Sequence, residues 1–300
     1  MSSASEVAAA SVPAPSAPDP AVTAFAAILA GEHAGAAAVL FYGSNLRTGS
    51  LDGVLDFYLL TDGPVERGLW PRVSYREWLH DGRTLRAKIA TMNSATFAAA
   101  AAGRTLDTTI WARFVQPSAL VWHRSAEDTA RVGDALAAAA GTAAWLAVAL
   151  GPGSGRDEDY WRALFRATYR AELRVEAPGR EDSILAANRA HFAGLLPRAL
   201  HTEKIAFERD GAIITPLLSD GQRRRALHWW QRRAVLGKPL NVVRLVRAAA
   251  TFDGAARYAA WKVERHTGIV VALTPWQERH PLLAAPGLVW RLQRERRRQR

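Results

Sequence analysis

An apolar run over residues 36–42 ends in Gly43-Ser44, and a second apolar run follows at residues 54–60 after an insert rich in Gly, Ser, Asn and Thr. Short apolar runs bounded by turn residues read as buried strands, so the chain must build a sheet around a sharp Gly-Ser turn. The second run carries one acid, Asp56, among Val54, Leu55, Phe57, Leu59 and Leu60. An ionised carboxylate in that setting needs a partner, and a cation is one. A Gly-Ser turn lets backbone N–H groups approach a phosphate closely, and an acid on the next strand can share Mg2+ with it. The competing reading is a hairpin-like connection with a solvated Asp56.

Downstream text adds further elements. A helix is expected over residues 21–30 and a third strand over residues 84–91, the latter with Lys88 among Leu85, Ala87, Ile89 and Ala90. Lys88 is either an edge-strand lysine reaching water or a point charge for a phosphate. Helices are expected over 94–102 and 108–114, and a short strand over 118–123. Residues 135–150 are apolar but short for a membrane span and largely Ala, which reads as a packed helix.

Beyond Arg124 the text turns helical. Asp157, Glu158 and Asp159 suit the first turn of a helix expected to run to about residue 176. On it Glu172 shares a face with Trp161 and Phe165, as a paired core acid or a functional one, with Tyr169 and Arg174 close by. Further helices are expected at 181–195, 223–235, 240–250 and 254–266.

The net charge of +11 is concentrated in two places. Residues 223–247 hold seven Arg and Lys238 with no acid, and residues 291–300 hold six Arg with Glu295. Two basic patches on a near-neutral body call for a polyanionic surface, either anionic lipid or nucleic acid. Arg223, Arg224, Trp229, Trp230, Arg232 and Arg233 combine the arginines that pair with phosphates and the tryptophans that favour a headgroup layer. The same residues suit single-stranded nucleic acid, and a solvated helix with two core tryptophans is the bland alternative. With no Cys there is no disulfide and no thiolate chemistry. The histidines lack metal-ligand spacing, and no Walker loop, Gly-x-Ser-x-Gly elbow or Gly-x-Gly-x-x-Gly turn is present.

Taken in order, Tyr42-Gly43-Ser44, Asp56-Phe57, Lys88, Trp111 to Pro117 with Arg113, Tyr169-x-x-Glu172-x-Arg174 and Thr251-Phe252-x-Gly254 resemble the mitochondrial translocator assembly and maintenance family. Its members are mitochondrial-type phosphatidate cytidylyltransferases of the nucleotidyltransferase superfamily, with bacterial relatives. The resemblance runs from about residue 38 to 268. It departs from the family pattern at several points. Tyr58 stands where a second acid is usual, Asn45 where a Gly follows Gly-Ser, and Gln116 where a Lys precedes Pro117. Ile89-Ala90-Thr91 follows Lys88 in place of Tyr-Gly-Val, and Glu172 stands in place of Asp.

The resemblance implies an α/β nucleotidyltransferase-like domain over residues 21–125, and the Ala/Ser/Pro composition of residues 1–20 reads as a disordered lead. A mostly helical, winged-helix-like domain over 126–275 and a basic tail at 276–300 complete the chain. The implied reaction joins CTP and phosphatidate into CDP-diacylglycerol, with Mg2+, at the cytoplasmic face of a membrane that the enzyme touches peripherally. Gly43, Ser44 and Lys88 would bind the nucleotide, Asp56 and Glu172 the metal, and Arg113, Tyr169 and Arg174 the second phosphate. Asp56, Lys88 and Glu172 would be catalytic, and the Arg/Trp segment would meet the membrane. Two alternatives keep the same residues: a nucleotidyltransferase acting on RNA or protein, and a non-catalytic lipid- or nucleic-acid-binding protein.

Overall fold

The computed structural model describes residues 17–63, 71–171, 180–267 and 271–279. Its centre is a mixed five-stranded sheet of β1 (Ala36–Tyr42), β2 (Leu55–Thr61), β3 (Arg72–His80), β4 (Arg83–Asn93) and β5 (Ser118–His123), in the order β3-β4-β2-β1-β5. β2 and β4 run parallel, and the other neighbouring pairs are antiparallel. β3 is a strand absent from the sequence reading. Its alternation is weak because it lies at the sheet edge, with Arg72, Arg76 and Glu77 reaching outward beside buried Tyr75.

Alternation along the strands divides the side chains between two layers. Val39, Phe41, Leu55, Phe57, Leu59, Ala87 and Ile89 face α1 (Pro20–Gly31), which buries Val22, Phe25, Ala26 and Leu29 against them. Asp19 caps that helix, accepting from the Ala21 amide at 2.8 Å, and Pro20 opens it. On the other face Ala38, Leu40, Tyr58, Leu60, Ala90 and Met92 pack against α3 (Ser94–Ala101), α4 (Thr109–Phe114) and α5 (Ala126–Leu150). The short helix α2 (Ser44–Thr48) follows β1 directly.

The same core continues past residue 125 without a break. α5 carries it to α6 (Asp157–Ala171), to α9 (Leu195–Thr202) and to Trp230 on α10 (Asp220–Thr251). Among the described residues α5 is the one helix long and apolar enough to cross a membrane, and most of it is buried inside the protein. Between α6 and α9 lie the short helices α7 (Arg180–Ala187) and α8 (Arg189–Phe192), where one continuous helix was expected. Gly194, in the left-handed region at φ +69°, then sets the start of α9. A small three-stranded sheet, β6 (Gly155–Arg156), β8 (Ile213–Pro216) and β7 (Phe207–Asp210), flanks this region.

α10 is one helix where two were expected. A capping box between Ser219 and Gln222 starts it, and Pro239 lies within it. The hydrogen bond lost to Pro239 is that of the Val235 carbonyl, on the solvent-facing side, where water can replace it. Gly237 does not break the helix; it allows α10 to cross α6, since a Cβ there would lie 2.5 Å from the Ala171 carbonyl oxygen. α11 (Ala255–Thr267) and α12 (Pro275–Arg279) follow.

Candidate functional site

The register of the sheet lines up four side chains on one face. Tyr42 pairs with Asp56, Asp56 with Lys88, and Lys88 with Tyr75, giving a row across β1, β2, β4 and β3. Neighbouring strands lie about 4.8 Å apart, so Asp56 and Lys88 are immediate neighbours. Gly43 ends β1 beside this row with φ +91°, and a Cβ on it would lie 3.0 Å from Asp56 Oδ2. The glycine is therefore required twice, by its backbone conformation and by the carboxylate against it. Arg113, in the last turn of α4, holds its guanidinium 5.3 Å from the Tyr42 ring centre.

These contacts set the electrostatics. Burial raises the Asp56 carboxyl above its usual range, against the opposing pull of Lys88 and Arg113. Burial likewise lowers Lys88. Asp56 opposes that effect, while Arg113, Arg244 and Lys262 reinforce it. The Tyr42 hydroxyl is pushed up, first by burial. Asp107 is a second acid in the same field. It is buried, its carboxyl is raised by burial, and Arg244 and Arg113 act on it. Its two oxygens are engaged by the Thr109 amide at 3.2 Å and the Thr109 hydroxyl at 2.6 Å, which fixes the start of α4. Asp107, Arg244 and Lys262 are not among the residues that the sequence motifs point to. The polar group before a short helix was the available signal for Asp107.

Other expected residues fall elsewhere. Ser44 is exposed, with its hydroxyl 3.3 Å from Asn45 Oδ1. Asn45 is buried and donates to the carbonyls of Ser50 and Asp52, both at 2.8 Å, so it pins the β1–β2 insert. Tyr58 is fully buried among Tyr42, Phe97 and Phe114, and it is the residue on β2 that next shares the Asp56 face. Tyr169 stacks on Phe165 along α6, with ring centres 6.4 Å apart. Glu172 and Arg174 lie outside the described residues.

Three other acids that could have supplied a second metal ligand are paired elsewhere. Asp52 binds Arg83, Asp62 binds Arg124 and Arg131, and Glu77 accepts from the Tyr75 hydroxyl and pairs with Arg86. No group of three or more His, Cys, Asp or Glu suited to a metal occurs among the described residues. Mg2+ is held by one or two carboxylates together with phosphate oxygens. Asp56 beside Gly43 fits it as an ion shared with a bound phosphate, not as an ion caged by protein alone.

The expected membrane-facing set divides, and part of it requires correction. Trp230 is buried, and Trp229 packs between Trp111 and Trp145. Arg233 is buried too, donating to the carbonyls of Gly103 at 2.9 Å and Thr105 at 2.8 Å, with its guanidinium 3.7 Å over Trp229. Those three residues face inward because they anchor α10 to the segment after α3. Arg223 is half-buried and reaches the Val148 carbonyl at 3.3 Å. Arg224 and Arg232 do face solvent, beside Arg225 and His228. Exposed Val235, Leu236, Val242 and Val243 extend the solvent-facing side of α10.

No family model and no curated protein matches the chain. Among solved structures, a nucleotidyltransferase-like protein from Exiguobacterium sibiricum is similar at 10% identity and a TM-score of 0.27, over 75% of this chain and 80% of that one. A likeness of that size carries no residue correspondence, and the functional reading rests on the Asp56 row itself.

Proposed function

We propose that the protein is a nucleotidyltransferase that uses the Asp56 row to hold a nucleoside triphosphate and passes the nucleotidyl group to a phosphate-bearing acceptor. One observation carries the reading: Gly43 lies directly against the Asp56 carboxylate, with Lys88 in register beside it. A small residue, an acid and a cation beside one another suit a polyphosphate and its counterion. The resemblance narrows the substrates to CTP and phosphatidate, and the solvent-facing stripe of α10 suits an anionic membrane carrying that lipid. The helical half, with its small sheet, is then the winged-helix-like unit on the acceptor side.

Gly43 keeps a side chain off the Asp56 carboxylate, and its backbone N–H is the group that would approach a phosphate. Lys88 and Arg113 hold and orient the phosphates, Lys88 as a point charge and Arg113 as a fork. Asp56 would hold Mg2+, which when bound offsets phosphate charge in the transition state. An acceptor phosphate oxygen forms the new bond to the α-phosphorus, the α–β bridging bond breaks, and pyrophosphate leaves with that electron pair. A phosphate dianion needs no general base, so positioning and charge supply the rate.

The test is turnover of labelled CTP with phosphatidate vesicles by wild type and Asp56→Asn, alongside the other three nucleotides and flotation on the same vesicles. Formation of CDP-diacylglycerol lost in the variant supports the reading. Equal silence of both proteins with every nucleotide removes it. A second reading has its own observation. Tyr58, two residues after Asp56 on the same face, is a buried aromatic and not an acid, which suits a protein that binds a triphosphate without transfer. Tight CTP binding with no product from any acceptor would favour that alternative.

A further inference from the structure

A cavity of about 250 Å³ opens on the helical half where α6 begins, and it shares no residue with the Asp56 row. Arg156 at the end of β6, Arg189 at the start of α8 and Arg209 on β7 line it, with Leu185, Phe192 and Ala212 as its apolar wall. Each side of the cavity is tied to α6 or to the turn before it. The Tyr160 hydroxyl donates to the Ile214 carbonyl at 2.7 Å, and the Ser154 and Thr215 hydroxyls meet at 2.9 Å, which holds the small sheet in place. Arg162 donates to Asp182 at 2.7 Å and holds α7. Phe192 packs on Trp161 with ring centres 5.5 Å apart and seats α8. The cavity is therefore preformed, and its arginines come from three separate elements.

The charges around it are unevenly satisfied. Asp157 and Glu158 also line the cavity. Burial raises the Asp157 carboxyl, against the Gly194 amide that donates to it and the pull of Arg209. Arg209 in turn donates to the Gly211 carbonyl at 3.0 Å, which fixes it beside the β7–β8 turn. Glu158 is exposed to water. The Arg156 and Arg189 side chains, by contrast, make neither a hydrogen bond nor an ion pair among the described residues. Arg156 is engaged through its backbone amide alone, which donates to Asp159 at 2.9 Å. Two unpaired guanidiniums beside one cavity attract an anion, and their planar forks match its oxygens. Size narrows the class further. Clefts for drug-sized ligands run to roughly 300–1,000 Å³, so this one suits a small anion with a short apolar body and not a nucleoside triphosphate.

We propose that Arg156 and Arg189 bind a phosphate monoester in this cavity, with Leu185 and Phe192 against the apolar part of the same molecule. Two guanidiniums from separate elements match the two charges of a phosphate monoester better than the single charge of a carboxylate. The site is independent of the triphosphate reading of the Asp56 row. The monoester comes from one of two sources, a free small-molecule phosphate or a lipid headgroup presented at a surface.

The experiment is calorimetric titration of the full chain with glycerol 3-phosphate, together with flotation on phosphatidylcholine vesicles with and without phosphatidate. The proteins are wild type, Arg156→Ala, Arg189→Ala, Ala212→Phe, Lys88→Ala and Arg257→Ala, the last an exposed cation on α11. Arg156→Ala and Arg189→Ala are each expected to weaken the phosphate ligand about tenfold, as loss of one charge-assisted hydrogen bond does. Ala212→Phe keeps every charge and fills the cavity, so it should weaken binding as well. Arg257→Ala should bind as wild type does. A weaker glycerol 3-phosphate titration in the cavity variants places a free phosphate ester there. No titration signal, with phosphatidate-dependent flotation reduced in the same variants, places a lipid headgroup there. The two arginine side chains hold nothing else in the fold, so their variants should melt with wild type and report on the ligand alone. If wild type shows neither signal, or if Lys88→Ala alone alters them, the cavity site is overturned, whatever the Asp56 row binds. Weakened binding in the arginine variants with Ala212→Phe unchanged would also overturn it, since the arginines would then act as plain surface charge.

Discussion

Asp56 and Lys88 are register partners on adjacent parallel strands, each shifted by burial toward its neutral form despite the attraction between them. Placing the two charges side by side therefore does not repay their loss of water. This is a local cost that an anionic ligand and its cation can relieve.

The pH dependence follows from the two directions. Asp56 titrates higher in the folded chain than its ordinary value of 3.8, so its contribution to stability is intact below 3.8 and is lost as pH rises through the folded value. Lys88 titrates lower than 10.5, so its contribution is intact above 10.5 and is lost as pH falls through the folded value. Near neutral pH both are costs. The double variant Asp56→Asn/Lys88→Met is expected to exceed wild type in stability by about 1–4 kcal/mol in urea melts at pH 7, while losing triphosphate binding. The melting temperature of Asp56→Asn relative to wild type should climb as pH is raised above 3.8. A flat difference across that range would show that Asp56 is not strained.

Gly43→Ala puts a methyl group 3.0 Å from Asp56 Oδ2 at a φ of +91°. Backbone strain of this kind costs about 1–3 kcal/mol, and the displaced carboxylate should abolish Mg–CTP binding. Chemical denaturation and calorimetry on the same preparation check both halves. Normal nucleotide affinity in Gly43→Ala would mean that phosphate does not approach at this point.

Arg233 and Arg232 are neighbours with opposite fates. Arg233→Met removes the donors that hold the Gly103 and Thr105 carbonyls and should cost about 2–4 kcal/mol, with little effect on vesicle binding. Arg233→Lys should not rescue it, since an ammonium cannot span both carbonyls as the planar fork does. Arg224→Ala/Arg232→Ala should leave the melting temperature unchanged and reduce flotation on phosphatidate vesicles, most visibly at low salt. Undiminished flotation would remove the α10 stripe as the lipid-facing surface.

Tyr58→Phe should keep the fold, because the ring fills the space between Tyr42, Phe97 and Phe114. Tyr58→Asp, which writes the usual second acid into β2, should unfold the domain by burying an unpaired carboxylate in that cluster. Circular dichroism separates the two outcomes. A folded, more active Tyr58→Asp would show that the aromatic is a lost acid and not a core residue.

How much of this was legible in the sequence depended on distance along the chain. β1, Gly43, β2 and Asp56 could be read because two apolar runs and a turn sit within 25 residues of one another. β3 was hidden, since an edge strand with one wet face shows little alternation. Gly237 and Pro239 suggested a break, but one of them permits a helix crossing and the other costs a bond only at the solvent side. Trp229, Trp230 and Arg233 showed that α10 has a basic aromatic stripe without showing which way it faces. That was decided by carbonyls of Gly103 and Thr105, far upstream. The Asp253 bridge that ties the turn between α10 and α11 to Ser74 on β3 is likewise a tertiary contact with no local signal.

The four-residue row also ties site formation to the folding reaction. Asp56 meets Lys88 only in the observed parallel register, and a slip of one residue would send the two side chains to opposite faces. That pairing closes a loop of 32 residues containing β3, so it forms after the local hairpins and is entropically demanding. The charge pair is thus a built-in reporter of correct strand pairing. A chain trapped one residue out of register would keep its secondary structure and have no site.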